Sequence, residues 1–512
     1  MSLAKRAFTV SSWTLASRVL GLVRDRLWAG ALGGSLMLDA FLVAFAVPNL
    51  LRNLFGEGAL SAAFIPRYVQ EREKDPAKAE RFAGAVLTRM ALGLSLLAAL
   101  GLAGAAAMMF TGSPKAVVVA AMALPQIPFL IFICIVAIMA GMLNGRRHFW
   151  VPAAAPVVLN VCLIATVWME PEDEAWTLPY AVLVAGILQV LMHVWALART
   201  PGGVPPVVTA STPEIRELRG ALVPAVIASS IYQVNALLDS IIAMVFIPGA
   251  GAVAFLYFGN RLLQFPMALI GHGVTTAAYP ELARRAGEGW ASTGDGLREA
   301  SRLQSYWLLP AAVGLLVTAE PLVRTIYQTG SFGEEGVERT VLVTRMLALA
   351  LIPITLSKLM VRGFHARRDQ RTPMRVSIGM VALNLTTNLL LVTLTPLREA
   401  GLALSTAVSS MVGCGIYVVL LRRHGAGTVI DLRGSLRPIA AAAAMGVAVA
   451  SLLHAWPQPF GHASGMAALR LAVAIAVGGL LYVPLAGTSW LRRPKRGVPA
   501  GEDQPSDPAA TV

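Results

Sequence analysis

Long apolar runs follow one another along almost the whole chain, each close to the length that crosses a bilayer. Lipid offers a backbone N–H or C=O no partner, so a spanning segment must satisfy its own polar groups as a helix of about 20 mainly apolar residues. On that scale the sequence reads as about fourteen spans, near 8–33, 36–66, 82–110, 116–144, 150–170, 175–198, 217–247, 251–280, 303–328, 341–365, 373–396, 399–421, 437–456 and 466–487. Of the 512 residues, 14% are charged and 56% hydrophobic, whereas a soluble domain carries about 25% charged residues. That scarcity excludes one soluble domain, a disordered chain and a disulfide-stapled secreted protein. The expected fold class is an all-α polytopic membrane protein.

The formal net charge of +14 would suit nucleic acid, but its placement argues otherwise. Lys and Arg gather in alternate loops: Arg146 and Arg147, Arg284 and Arg285, Arg367, Arg368 and Arg371, then Arg492, Arg493, Lys495 and Arg496. The loop Glu170, Glu172, Asp173, Glu174 on the other side is acidic. Basic residues stay on the cytoplasmic face during insertion, so both termini are expected in the cytoplasm and no nucleic-acid partner is expected. Arg18, Arg24, Asp25 and Arg26 interrupt the first apolar stretch, which reads as a retained helix rather than a cleaved signal. Cys134, Cys162 and Cys414 sit singly in apolar runs, as packing residues without a metal or disulfide framework.

The sequence repeats itself. Ala40-Phe41-Leu42 recurs as Ala254-Phe255-Leu256, Gly56-Glu57-Gly58 as Gly271-His272-Gly273, and Ser61-Ala62-Ala63 with Pro66 as Thr275-Thr276-Ala277 with Pro280. Arg146-Arg147 with Pro152 returns as Arg367-Arg368 with Pro373. Duplicated halves are a hallmark of transporters. The spacing sets spans 1–6 against 7–12, an even number each, so the halves share orientation and are pseudo-symmetric six-helix lobes plus two extra C-terminal helices. The expected division is 1–200, 215–422, 435–488 for the added pair, and a disordered cytoplasmic tail over 489–512. Two like-oriented bundles enclosing a cavity suit alternating access.

Arginines stand where lipid forbids them. Arg18, Arg24, Arg52 and Arg261 lie deep in their spans, at about 2.5–3.5 kcal/mol each on insertion scales. Such a cost is met when the side chains line a watered cavity and bind an anion; the planar guanidinium fork suits a diphosphate. Arg26 reads instead as neutralised by a neighbouring acid. Arg89 and Lys358, nearer the span ends, read as snorkelling. Pro48-Asn49 and Gly56-Glu57-Gly58 break span 2, while Pro266 and Gly271-His272-Gly273 break span 8. Interrupted segments at corresponding places in two halves point to a transport site.

Several of these residues fall in one pattern. Ser17-Arg18-Val19-Leu20-Gly21, Arg24-Asp25, Asp39-Ala40-Phe41, Pro48-Asn49-Leu50-Leu51-Arg52, Phe55-Gly56-Glu57-Gly58-Ala59 and Ala63-Phe64-Ile65-Pro66 resemble the N-terminal signature of the MurJ (MviN) lipid II flippases. Asn260-Arg261-Leu262 with Phe265-Pro266 resembles the helix 8 motif of that family. The resemblance covers essentially the whole chain and implies the multidrug/oligosaccharidyl-lipid/polysaccharide exporter superfamily. It implies a non-enzymatic flippase, moving undecaprenyl-diphosphate-linked disaccharide-pentapeptide to the outer leaflet of the cytoplasmic (inner) membrane for peptidoglycan synthesis. Carried over by position, Arg24, Arg52 and Arg261 would hold the diphosphate; Arg18, Asp25, Asp39 and Glu57 would support or gate; the last two helices would hold the lipid tail. Implied partners are lipid II, membrane lipids and the peptidoglycan synthesis and division machinery.

Some members of that family bind sodium, which here would fall on Asp239, Asn384, Asn388 and Thr406. Those sites carry a second carboxylate near Asn388 that this chain lacks, which favours interhelical amide hydrogen bonds over an ion. No cofactor motif, nucleophile–base pair or nucleotide loop is present in the sequence. The rival readings are a flippase of another polyprenyl-diphosphate-linked glycan and a polytopic polyprenyl-dependent glycosyltransferase. The latter would want an acid in the loop over 30–38, which has none.

Overall fold

The computed structural model describes residues 3–55, 59–169, 175–208, 233–456 and 464–487. Among these there are helices and turns and no strand, as the backbone rule for lipid requires. The first half holds α1 (Leu3–Leu32), α2 (Leu36–Phe55), α3 (Ala59–Lys74), α4 (Pro76–Met108), α5 (Pro114–Gln126), α6 (Phe129–Gly145), α7 (Trp150–Met169) and α8 (Thr177–Ala198). The second holds α9 (Gln233–Phe246), α10 (Ala252–Pro266), α11 (Gly273–Ala286), α12 (Trp290–Tyr327), α13 (Glu334–Ala366), α14 (Arg371–Leu394) and α15 (Glu399–Arg423). Then come α16 (Leu432–Ala455) and α17 (Ser464–Ala486).

Among the described residues, twelve helical segments are long and apolar enough to cross a membrane. The two further spans read from the sequence correspond to α1, 30 residues long but charged at Arg18, Arg24, Asp25 and Arg26, and to 217–247, of which α9 is the described part. Within the described residues, span 8 is interrupted as expected and 116–144 is interrupted as well, whereas α2 runs on through Pro48 and Asn49, contrary to expectation. The run 36–66 holds α2 and the start of the charged α3, with 56–58 outside the described residues, and 116–144 divides at Ile127-Pro128 into α5 and α6. The run 251–280 is interrupted by a π-helical turn over Met267–His272, following Pro266, which has no N–H to donate. The Gly271 carbonyl there accepts from Thr275 Oγ1 (2.7 Å) and Gln304 Nε2 (3.2 Å). The expected tail over 489–512, the acidic loop and Glu57 lie outside the described residues.

The repeat has a backbone signature. At the end of α6, His148 N–H donates to Leu143 O (2.8 Å) and Arg147 N–H to Asn144 O, with Arg147 at φ 61°. At the end of α13, Asp369 N–H donates to Phe364 O (3.0 Å) and Arg368 N–H to His365 O, with Arg368 at φ 60°. Both are Schellman caps with arginine in the left-handed position that glycine usually takes. The same strained choice at both duplicated Arg-Arg pairs is the structural trace of the repeat. α16 and α17 pack on each other and on α12, where Tyr482 Oη donates to Tyr306 O (2.5 Å). Arg302 of α12 pairs with Asp431, which also caps the first turn of α16 through Gly434 N–H. That backbone donor, with Arg302, holds the Asp431 carboxyl below its usual range.

Candidate functional site

The two halves meet on one carboxylate. Asp25 of α1 has no exposed surface, and Arg24 beside it is 8% exposed. Asp25 Oδ2 accepts from Arg261 Nε of α10 (2.7 Å), and Oδ1 accepts from Arg24 Nη2 (2.6 Å) and Tyr257 Oη (3.0 Å). Arg24 spends its remaining donors on Asn160 Oδ1 of α7 (2.9 Å) and Tyr257 Oη (2.7 Å), and its guanidinium lies 4.6 Å from the centre of the Trp28 ring. Asn160 in turn donates to Ser17 O (3.0 Å). The arrangement depends on Gly21, one turn before Asp25: a Cβ there would sit 2.7 Å from Arg261 Nη2. Two guanidinium groups, one from each half, are thus fixed on a shared acceptor that a stronger anion could replace.

Arg52 stands apart. It donates to Asn49 Oδ1 (2.8 Å) on its own turn of α2, about 20 Å along that helix from Asp39. Arg18 is exposed, one and a half turns from Arg24. The structure therefore brings Arg24, Asp25 and Arg261 into contact and leaves Arg18 and Arg52 outside that cluster. Among the described residues Arg26 is not neutralised by an acid as expected; it donates to the carbonyls of Thr325 (2.6 Å) and Ile326 (3.0 Å) at the end of α12. Lys358 is partly buried against the π turn, 3.7 Å from Met267 Sδ and 3.4 Å from His272 Nε2.

Asp39 acts at the first turn of a helix in the other half. Its carboxylate accepts from Gly251 N–H (2.7 Å) and Ala254 N–H (2.8 Å), capping α10 at the end where the helix dipole is positive. Gly251 holds φ 85°, open to glycine. Lys115 of α5 mirrors this at a helix C-terminus, donating to Met244 O (3.0 Å) and Ile247 O (2.9 Å) after α9. Ser331 N–H donates to Gly30 O (2.7 Å) alongside. With Arg26, these contacts tie the halves together at the α1 C-terminal end, which we call the latched end.

Asp239, the repeat counterpart of Asp25, accepts from Asn388 Nδ2 (2.6 Å), and the same nitrogen donates to Asn384 Oδ1 (3.0 Å). Asn384 further contacts Ser405 (3.2 Å), whereas Thr406 Oγ1 turns to Leu402 O of its own helix (3.1 Å). The Asn388 amide thus bridges Asp239 and Asn384 between helices, while its Oδ1 is buried without a partner among the described residues.

Sequence reasoning missed Asn160, Tyr257, Lys115 and Trp28. Tyr257 lies one turn before Arg261 and so shares its face. Asn160 is a buried amide in an apolar span, which calls for a polar partner.

The family model "Lipid II flippase MurJ" matches residues 28–470. The "Probable lipid II flippase MurJ" of Rhizobium meliloti (strain 1021) is 34% identical over 98% of this chain and 98% of its own length. The "Lipid II flippase MurJ" of Burkholderia cenocepacia is 30% identical over 96% and 99%. A solved structure described as "Lipid II flippase MurJ, inward closed conformation" superposes with a TM-score of 0.76 at 20% identity, covering 92% of this chain and 97% of that one. An inward-facing multidrug-resistance transporter of the MATE family in the MOP superfamily gives 0.66 at 14% identity, covering 81% and 97%. The chain is a multi-pass membrane protein with the MOP transporter fold, and it belongs to the MurJ family of lipid II flippases.

Proposed function

We propose that this protein carries lipid II across the cytoplasmic membrane, from the inner to the outer leaflet, by alternating access between two lobes, 1–200 and 215–422, with both termini in the cytoplasm. The observation that carries the reading is the convergence of Arg24 and Arg261, from opposite halves, on the buried Asp25. A diphosphate brings about two negative charges and several acceptor oxygens where Asp25 offers one charge and two. It would displace the carboxylate, with Arg52 meeting it further along the cavity. Charged headgroup and arginines then move as the lobes rock, while the prenyl chain stays in lipid along α16 and α17, within 435–488.

On this reading the latched end faces outward. Opening it breaks the caps that Asp39 and Lys115 supply and exposes those helix ends to water, which can satisfy them. Glu57 would complete the polar path. The flipped lipid is handed to the peptidoglycan synthesis and division machinery, and no catalytic step is involved.

The driving force follows from charge. Moving one negative charge outward across a membrane negative inside by 100 mV releases about 2.3 kcal/mol, or ~4–5 kcal/mol for two. That exceeds the roughly 1.4 kcal/mol of a tenfold bias. In proteoliposomes with the protein oriented one way, imposing such a potential should speed lipid II export at least tenfold over its collapse by an ionophore. Equal rates in both conditions would remove the potential as the driving force. With Asp239 already bonded by the Asn388 amide, exchanging sodium for potassium on both faces should leave the rate unchanged. A tenfold fall without sodium would put a cation back in that cluster.

A further inference from the structure

A second basic cluster lies beyond the diphosphate arginines. Lys358 Nζ stands 3.4 Å from His272 Nε2, and Arg362, one turn along α13 on the same face, lies over the Tyr279 ring at 5.4 Å. His272 and Tyr279 are two turns apart on the facing side of the π turn and α11. His272 and Arg362 are exposed and Lys358 is partly buried. Three basic side chains from two segments thus share one wall at membrane depth, where like charges repel more than in bulk water. His272 stands eleven residues past Arg261, about 16 Å further from the latched end at the helical rise. With a diphosphate on Arg24 and Arg261, that separation leaves the second cluster to another anionic group.

We propose that Lys358, Arg362 and His272 form a separate subsite for a carboxylate on the head group of the cargo, held while the diphosphate occupies Arg24 and Arg261. The inference rests on the lipid II reading, because that cargo carries free peptide carboxylates at a distance from its diphosphate. A flexible ammonium, an imidazole and an exposed guanidinium suit a carboxylate that varies in position, unlike the two fixed forks on Asp25. The subsite would discriminate a head group with an intact, charged peptide from one without.

The test compares two ligands on the purified full-length protein: lipid II with its pentapeptide, and undecaprenyl-diphosphate disaccharide lacking the peptide. The Lys358→Gln/Arg362→Gln variant should lose affinity for the peptide-bearing lipid by about tenfold more than for the peptide-free one. Arg362→Lys alone should restore most of the difference. Lipid II whose carboxylates are amidated should behave as the peptide-free ligand does on the wild-type protein. Equal losses for both ligands, or none, would overturn the subsite, because the cluster would then act on the diphosphate or not at all. The peptide-free ligand also reports whether the variant is folded. If the wild-type protein binds neither ligand, the cargo reading fails, and the subsite with it.

Discussion

Arg24→Ala and Arg261→Ala should each abolish growth complementation while the protein still accumulates in the membrane fraction. Each substitution removes one of the two forks that converge on Asp25, and with it the bidentate hold on a diphosphate. The cost within the protein is separate: truncating one partner of a buried ion pair takes about 3–5 kcal/mol. It falls more heavily on Arg24, which serves Asp25, Asn160 and Tyr257 at once. Lysine at either position keeps the charge but not the planar fork, so Arg24→Lys and Arg261→Lys should complement partially. Arg52→Ala should also fail, through loss of a cargo contact outside the Asp25 cluster, since Arg52 donates to Asn49 on its own turn. Membrane-fraction abundance separates loss of function from loss of protein. Full complementation by all three alanine variants would remove the proposed site.

A disulfide between the halves at the latched end should stop transport, and a reductant should restore it. A Cβ built at Gly30 lies 3.5 Å from Thr329 Cβ, at the near edge of the roughly 3.5–4.5 Å that a disulfide spans. Gly30→Cys/Thr329→Cys, in a chain whose Cys134, Cys162 and Cys414 are replaced, should crosslink on mild oxidation. The crosslink would fasten α1 to the segment after α12, beside the Gly30–Ser331 bond that already joins them. If the lobes rock apart at this end in each cycle, oxidised protein in proteoliposomes loses lipid II transport by at least an order of magnitude, and reduction recovers it. Fully oxidised protein that still transports would show that this end stays shut throughout the cycle.

Much of this was legible because the strongest signals are local. Apolar run length marks the spans, and the duplicated Arg146-Arg147 and Arg367-Arg368 pairs mark the repeat, down to a shared left-handed backbone. The deep arginines announce themselves because lipid makes each one costly. What the sequence hides is which partner a polar side chain finds. Asp39 is a charge in a span until α10 brings Gly251 and Ala254 N–H to it. Arg26 and Lys115 cap the carbonyl ends of helices far away in sequence, a role no local pattern encodes. The break of 116–144 at Ile127-Pro128 is hidden for the opposite reason, since hydropathy is unchanged across it.

The leaflet distribution of lipid II in living cells, followed while this protein is depleted, tests the central claim most directly. A membrane-impermeant reagent that acts on the head group reports the outer-leaflet fraction. The account predicts that this fraction collapses and lipid II accumulates inside as the protein disappears, with recovery on re-expression of the wild-type chain but not of Arg24→Ala. An outer-leaflet fraction that holds steady through complete depletion, in cells with no second flippase, would contradict it.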